Sequence, residues 1–164
     1  MQILDQTVEA VRVQGSKGRV NGAQAAATLA AIAECGEQAL QIWQDYLANP
    51  GAPGDKYSIV SWIGAERAKQ LHELSLKAYG LMNVLRTSTG DQARFLVLGE
   101  SPIVLAYRGL KEGETGPQAA QAAVTEQQES IAHVRALADQ VRSLKSSGTA
   151  AKPAKKPANK KTAS

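Results

Sequence analysis

Aromatic residues are scarce in this chain: one Phe, two Trp and four Tyr, 4% of the sequence. The core cannot be built on rings, so Ala, Leu, Ile and Val must fill it, and a hydrophobic content of 43% is enough for that. The single cysteine, Cys35, excludes an intramolecular disulfide and fits a reducing compartment. With only two histidines beside it, the chain is poorly equipped for metal or nucleophile chemistry. No apolar run approaches the ~20 residues of a membrane span. The start, Met1-Gln2-Ile3-Leu4-Asp5, lacks the basic residues and apolar stretch of a secretory leader. These absences predict a cytoplasmic protein with no membrane span and no cofactor.

What the chain does have is apolar residues at helical spacing. From Lys56 to Arg86, the positions Val60, Ile63, Leu71, Leu74, Ala78, Leu81 and Leu85 keep steps of three and four, with Arg67 in the one slot that is not apolar. That spacing predicts a single helix, the longest of the chain, with one face needing partners. A second stripe, Leu29, Ile32, Gly36, Leu40, Trp43 and Leu47, predicts a helix from an Asn21 N-cap to about Ala48. Between them, Asn49-Pro50-Gly51-Ala52-Pro53-Gly54 stops one helix and reverses the chain, with Asp55 or Ser58 capping the next. The two therefore read as an antiparallel hairpin.

Leu4, Val8 and Val11 predict a short helix over 2–13, and the glycine-rich segment 14–22 ends it. Gly15-Ser16-Lys17-Gly18 lacks the spacing and the preceding strand of a phosphate-binding loop. Pro117 opens a last helix to about Lys145, its stripe made of Val124, Ile131, Val134, Ala138 and Val141, and its wet face of Gln121, Gln127, Gln128, Glu129, Arg135 and Asp139. That helix reads as a bundle member or a coiled-coil arm. The apolar runs within 94–108 flank Gly99-Glu100-Ser101-Pro102 and read either as a strand hairpin or, with Ser101 as cap and Pro102 as first helical residue, as a short helix ended by Gly109. The helical form is favoured, because a lone hairpin is marginal in a helical protein. The predicted fold is all-α: a helical hairpin extended to a four-helix-type bundle over residues 1–147, followed by a tail over 148–164.

Charge separates these two parts. Residues 148–164 hold five lysines and no acid, which leaves the body 14 basic against 15 acidic residues, a net of −1. The tail has no large apolar residue and two prolines four apart, so it cannot offset chain entropy by burial and is predicted to be disordered. Its Lys152, Lys155, Lys156, Lys160 and Lys161 can each meet a phosphate and release counterions, giving sequence-blind, salt-sensitive binding to nucleic acid.

Ala-Lys-Pro-Ala-Lys-Lys-Pro-Ala within this tail resembles the lysine-alanine-proline tails of linker histones and of some bacterial nucleoid-associated proteins. Joined to an alanine-rich amphipathic body, it is also similar in architecture to phasins, a resemblance that implies a granule-coating protein tethered to the nucleoid. The expected function is that of a non-enzymatic helical oligomer whose tails hold a polyanion. The alternatives are a phasin-like granule protein and a scaffold whose protein partner docks on the 94–107 stretch and the tryptophan end. The candidate partner-binding residues are Trp43, Trp62, Phe95 and Tyr107; Trp43 and Trp62, with Tyr46 and Tyr57, form an expected aromatic cluster beside the Pro50–Gly54 turn, favoured as a plug sealing the open end of the hairpin over a hot spot for a partner. For His133, the acids Glu129 and Glu126 on the same helix face could offer metal ligands, but the Glu-x-x-His pair of di-iron bundles is missing, and a solvated acidic face is the expected reading. Cys35 is expected as a small buried hydrophobe, and His72 as a flank of the packing stripe.

Overall fold

The computed structural model describes residues 22–89 and 103–151, and the side chains of 23–85 and 103–142. Four helices make up the described chain: α1 (Gly22–Ala48), α2 (Val60–Ile63), α3 (Ala65–Thr89) and α4 (Gly116–Ala151). There is no strand among the described residues, so the all-α expectation stands. The helix expected over 2–13, the Asn21 cap and the apolar run Phe95–Leu98 lie outside the described residues.

α1 is the central element. It packs against α4 over most of its length and against α3 on its other flank, while no comparable packing joins α3 to α4 among the described residues. Contacts between the ends set the directions. Gly36 on α1 faces Gln127 and Ile131 on α4, and Gly116 at the start of α4 abuts Trp62 beside the loop that follows α1. Tyr46, late in α1, lies under Arg67, early in α3. Both neighbours therefore run antiparallel to α1, as the predicted hairpin requires.

The α1 stripe faces inward as its spacing requires, with Leu29, Ile32 and Trp43 all at or below 2% exposure. Alanines fill the gaps: Ala25, Ala26, Ala33 and Ala39 on α1 and Ala119, Ala120, Ala123 and Ala138 on α4 are all buried. Small side chains let the two backbones come close. An added Cβ on Gly36 would stand 2.9 Å from Ile131 Cγ1 and 3.1 Å from Gln127 Nε2, tighter than ordinary van der Waals contact. The first half of α4, thin in large apolar residues, is thin because the approach leaves no room for them.

Three expectations are corrected. The helix predicted over Lys56–Arg86 is two helices, and the longest helix is α4, with 36 residues. Gly64 breaks the run with φ 93°, a backbone region that residues bearing a Cβ adopt only with strain. Its N–H still bonds the Val60 carbonyl at 2.8 Å, so the chain turns without losing that hydrogen bond, and both Ile59 and Ile63 are buried. Before α2, residues 56–59 form a loop, in which Asp55 Oδ1 accepts from the N–H groups of Tyr57 and Ser58, both at 2.8 Å. Those bonds hold the Asp55 carboxyl below its ordinary range. Asp55 thus caps a turn rather than the helix.

Secondly, residues 103–108 are neither helix nor strand. Ile103 and Ala106 are buried in the body, and Gly109 makes an isolated antiparallel bridge with Ser58, closed by Leu110 N–H on the Tyr57 carbonyl at 2.9 Å. Thirdly, α4 continues past Lys145 and Gly148 to Ala151. Nothing before Pro153 forbids it: alanine favours the helix, and proline restricts chiefly the residue before it.

Candidate functional site

The segment 103–110 crosses the body without regular structure, so its backbone polar groups need partners from elsewhere. Two side chains supply them at Val104. Gln127 Oε1 accepts from the Val104 N–H at 2.8 Å, and Trp43 Nε1 donates to the Val104 carbonyl at 3.3 Å. One residue of an irregular segment is thereby clamped by α1 and by α4. Gln127 is fully buried, which corrects its assignment to the wet face. The signal was present in the sequence: Gln127 fills the slot between Val124 and Ile131 in steps of three and four, as Arg67 does in the α3 stripe. Gly36 leaves the room that the Gln127 carboxamide occupies.

The remaining residues proposed for partner binding fall into different environments. Trp43 is 1% exposed and presents no surface to a partner; its stripe position puts the ring in the core, and its indole N–H is satisfied there by the Val104 carbonyl. Trp62 is half-buried, donates to the Asp55 carbonyl at 2.6 Å and lies against Gly116. Phe95 lies outside the described residues. Tyr107 is 57% exposed, packs edge-on to His72 with ring centroids 6.0 Å apart, and its hydroxyl reaches the Ala68 carbonyl at 3.4 Å.

The aromatic cluster therefore does not form as one unit. Tyr46 is wholly buried while Tyr57 is 70% exposed, and no ring pair joins Trp43, Tyr46, Tyr57 and Trp62 among the described residues. The Tyr46 hydroxyl has no hydrogen-bond partner among the described residues, and burial raises its pKa, with the Arg67 guanidinium 5.6 Å from the ring centroid opposing that rise. Arg67 itself donates to the Ile63 carbonyl at 2.9 Å, so the charged slot of the stripe is used to hold the α2–α3 turn.

Two exposed tyrosines, Tyr57 and Tyr107, thus stand on loops joined by the Ser58–Gly109 bridge. Lys56 Nζ lies 5.3 Å from the Tyr57 ring centroid. Next to Tyr107, the Arg108 guanidinium forms a two-pronged pair with Glu114, at 3.0 and 3.2 Å. Glu114 also accepts from the Lys111 N–H, and with Arg108 this lowers its pKa to about 2.

His133, Glu129 and Glu126 are all exposed on α4, and no group of three or more His, Cys, Asp or Glu gathers among the described residues. Cys35 is 1% exposed, and burial pushes its thiol pKa up, against the electrostatic pull of Lys77, so the nucleophilic thiolate is disfavoured. No described helix is long and apolar enough to cross a membrane. Lys152, Lys155, Lys156, Lys160 and Lys161, the candidate nucleic-acid contacts, lie outside the described residues. No family model matches this chain, and neither a curated protein nor a solved structure does.

Proposed function

We propose that this is a non-enzymatic helical interaction protein of the cytoplasm, oligomeric, whose C-terminal lysines hold it to nucleic acid or another polyanion without reading sequence. The observation that carries the reading is the separation of charge: five lysines and no acid over 148–164, against a body of net −1. Lysines on an extended chain bind phosphates by counterion release, and five of them give a weak, salt-sensitive attachment. Several tails on one assembly strengthen it through effective concentration. The three long helices act as the frame of a four-helix-type bundle, and its α4 leads directly into the lysines.

Removing residues 152–164 is expected to abolish retention on nucleic acid at low salt while the helical circular-dichroism signal stays. Full retention by the truncated chain overturns the proposal.

A second reading, a scaffold for a protein partner, is favoured by Tyr57 and Tyr107, whose rings stand exposed on two bridged loops at one end of the body. Nuclease-insensitive capture of one defined protein, lost on Tyr107→Ala, supports that reading. The phasin-like reading has less behind it, because the α1 stripe is already buried within one chain rather than held out for a granule surface.

A further inference from the structure

The outer face of α3 carries a charge pattern complementary to itself. Glu73 and Lys77 are both exposed and stand one turn apart, yet neither makes an ion pair with the other or with any other described residue. In an antiparallel pairing of α3 with a second copy of itself, centred at the level of Ser75, Glu73 of each helix comes opposite Lys77 of the other. Two-fold symmetry makes both contacts at once.

Three further features of the same face fit that pairing. Leu76, 58% exposed, lies close to the two-fold axis on one side of the charged pair. On the other side, Leu74 and Ile42 floor a shallow groove of about 470 Å³ between α1 and α3, rimmed by Gln38, Gln70, Glu73 and Lys77. Gly80 occupies the middle of an exposed helix, where glycine costs about 1 kcal/mol relative to alanine. Among the described residues no atom lies within 4 Å of where its Cβ would stand, so packing against them does not require glycine there. A second helix approaching closely does.

We infer that α3 is a homodimer interface, built on reciprocal Glu73–Lys77 pairs between two copies of this chain, with Leu76 and the Ile42–Leu74 groove as its apolar flanks. This names the surface for the oligomer in the function proposed above and rests on that reading only for its purpose.

The test is solution mass of the full chain by sedimentation equilibrium over a range of concentrations. The wild type is expected at twice the 17.3 kDa chain mass. Lys77→Glu sets four carboxylates around the axis and is expected to raise the dimer dissociation constant by more than about tenfold. Combining it with Glu73→Lys reverses both signs, keeps the face self-complementary and is expected to restore the dimer to within about threefold of wild type. Both positions are exposed, so circular dichroism serves as the check that each variant folds.

A wild type that stays monomeric overturns the interface, as does a dimer indifferent to Lys77→Glu or a double variant that fails to recover. The tail proposal is read separately: a monomer still retained on nucleic acid through residues 152–164 defeats the interface alone, and a dimer whose retention survives truncation defeats the tail alone.

Discussion

Gln127 and Gly36 show how one buried polar group constrains its surroundings. The carboxamide is held because the Val104 N–H has no helix or strand partner, and the missing Cβ at position 36 gives it space. Gln127→Ala takes its side-chain partner from that part-buried N–H and is expected to cost about 1–3 kcal/mol in a urea titration. Gly36→Ala gains helix propensity, but its Cβ meets Ile131; overpacking of that kind costs about 1–3 kcal/mol, so a net loss of stability is expected. Tyr46→Phe works in the opposite direction. It removes a buried hydroxyl with no partner among the described residues, and a gain of about 1 kcal/mol is expected in thermal melts.

At the level of elements, the two breaks in regular structure do most to shape the body. The Gly64 turn divides α2 from α3, and at φ 93° Gly64→Ala is expected to cost about 1–2 kcal/mol in a denaturant titration. The 103–115 segment is latched by Arg108, Glu114 and the Lys111 N–H. Glu114 is held near 2, below its ordinary 4.5, so the unfolded chain takes up its proton first as pH falls. The latch therefore contributes fully above pH about 4.5, and its contribution is lost as pH drops from there through about 2. Arg108→Ala is expected to flatten the pH dependence of the unfolding midpoint across that window, with little change in its slope above it.

For the whole molecule, α1 lies between two antiparallel neighbours, and no other described helix packs on the outer side of α3. The C-terminal end of α4 and the Tyr57–Tyr107 loops lie at opposite ends of the described body, since α4 starts beside the loops and runs away from them. A polyanion at one end and a protein partner at the other would not compete. Full-length chain on nucleic acid is accordingly expected to keep Tyr57 and Tyr107 accessible to tyrosine-specific surface labelling. Loss of labelling on binding would place the nucleic acid on the loops instead.

Helix class, the inward stripes of α1 and α3, the reversal after Ala48 and the charge boundary near the C-terminus were legible in the residues alone, because spacing, proline and glycine placement and lysine clustering are local properties. Arg67 was legible as a stripe residue for the same reason. The stripe position of Gln127 was present in the spacing too, but its burial was not legible, since a polar side chain on a stripe reads as solvated until the segment whose N–H it bonds is placed beside it. Gly36 lies on the α1 stripe, where a glycine reads as admitting a close neighbour; Gly64 sits in a run of helical spacing, and only the tertiary structure shows that it turns the chain. Exposure of Tyr107 and the irregular path of 103–108 were likewise decided by which distant groups met them, a matter of long-range contact that no local pattern encodes, whereas the burial of Trp43 follows from its place on the α1 stripe.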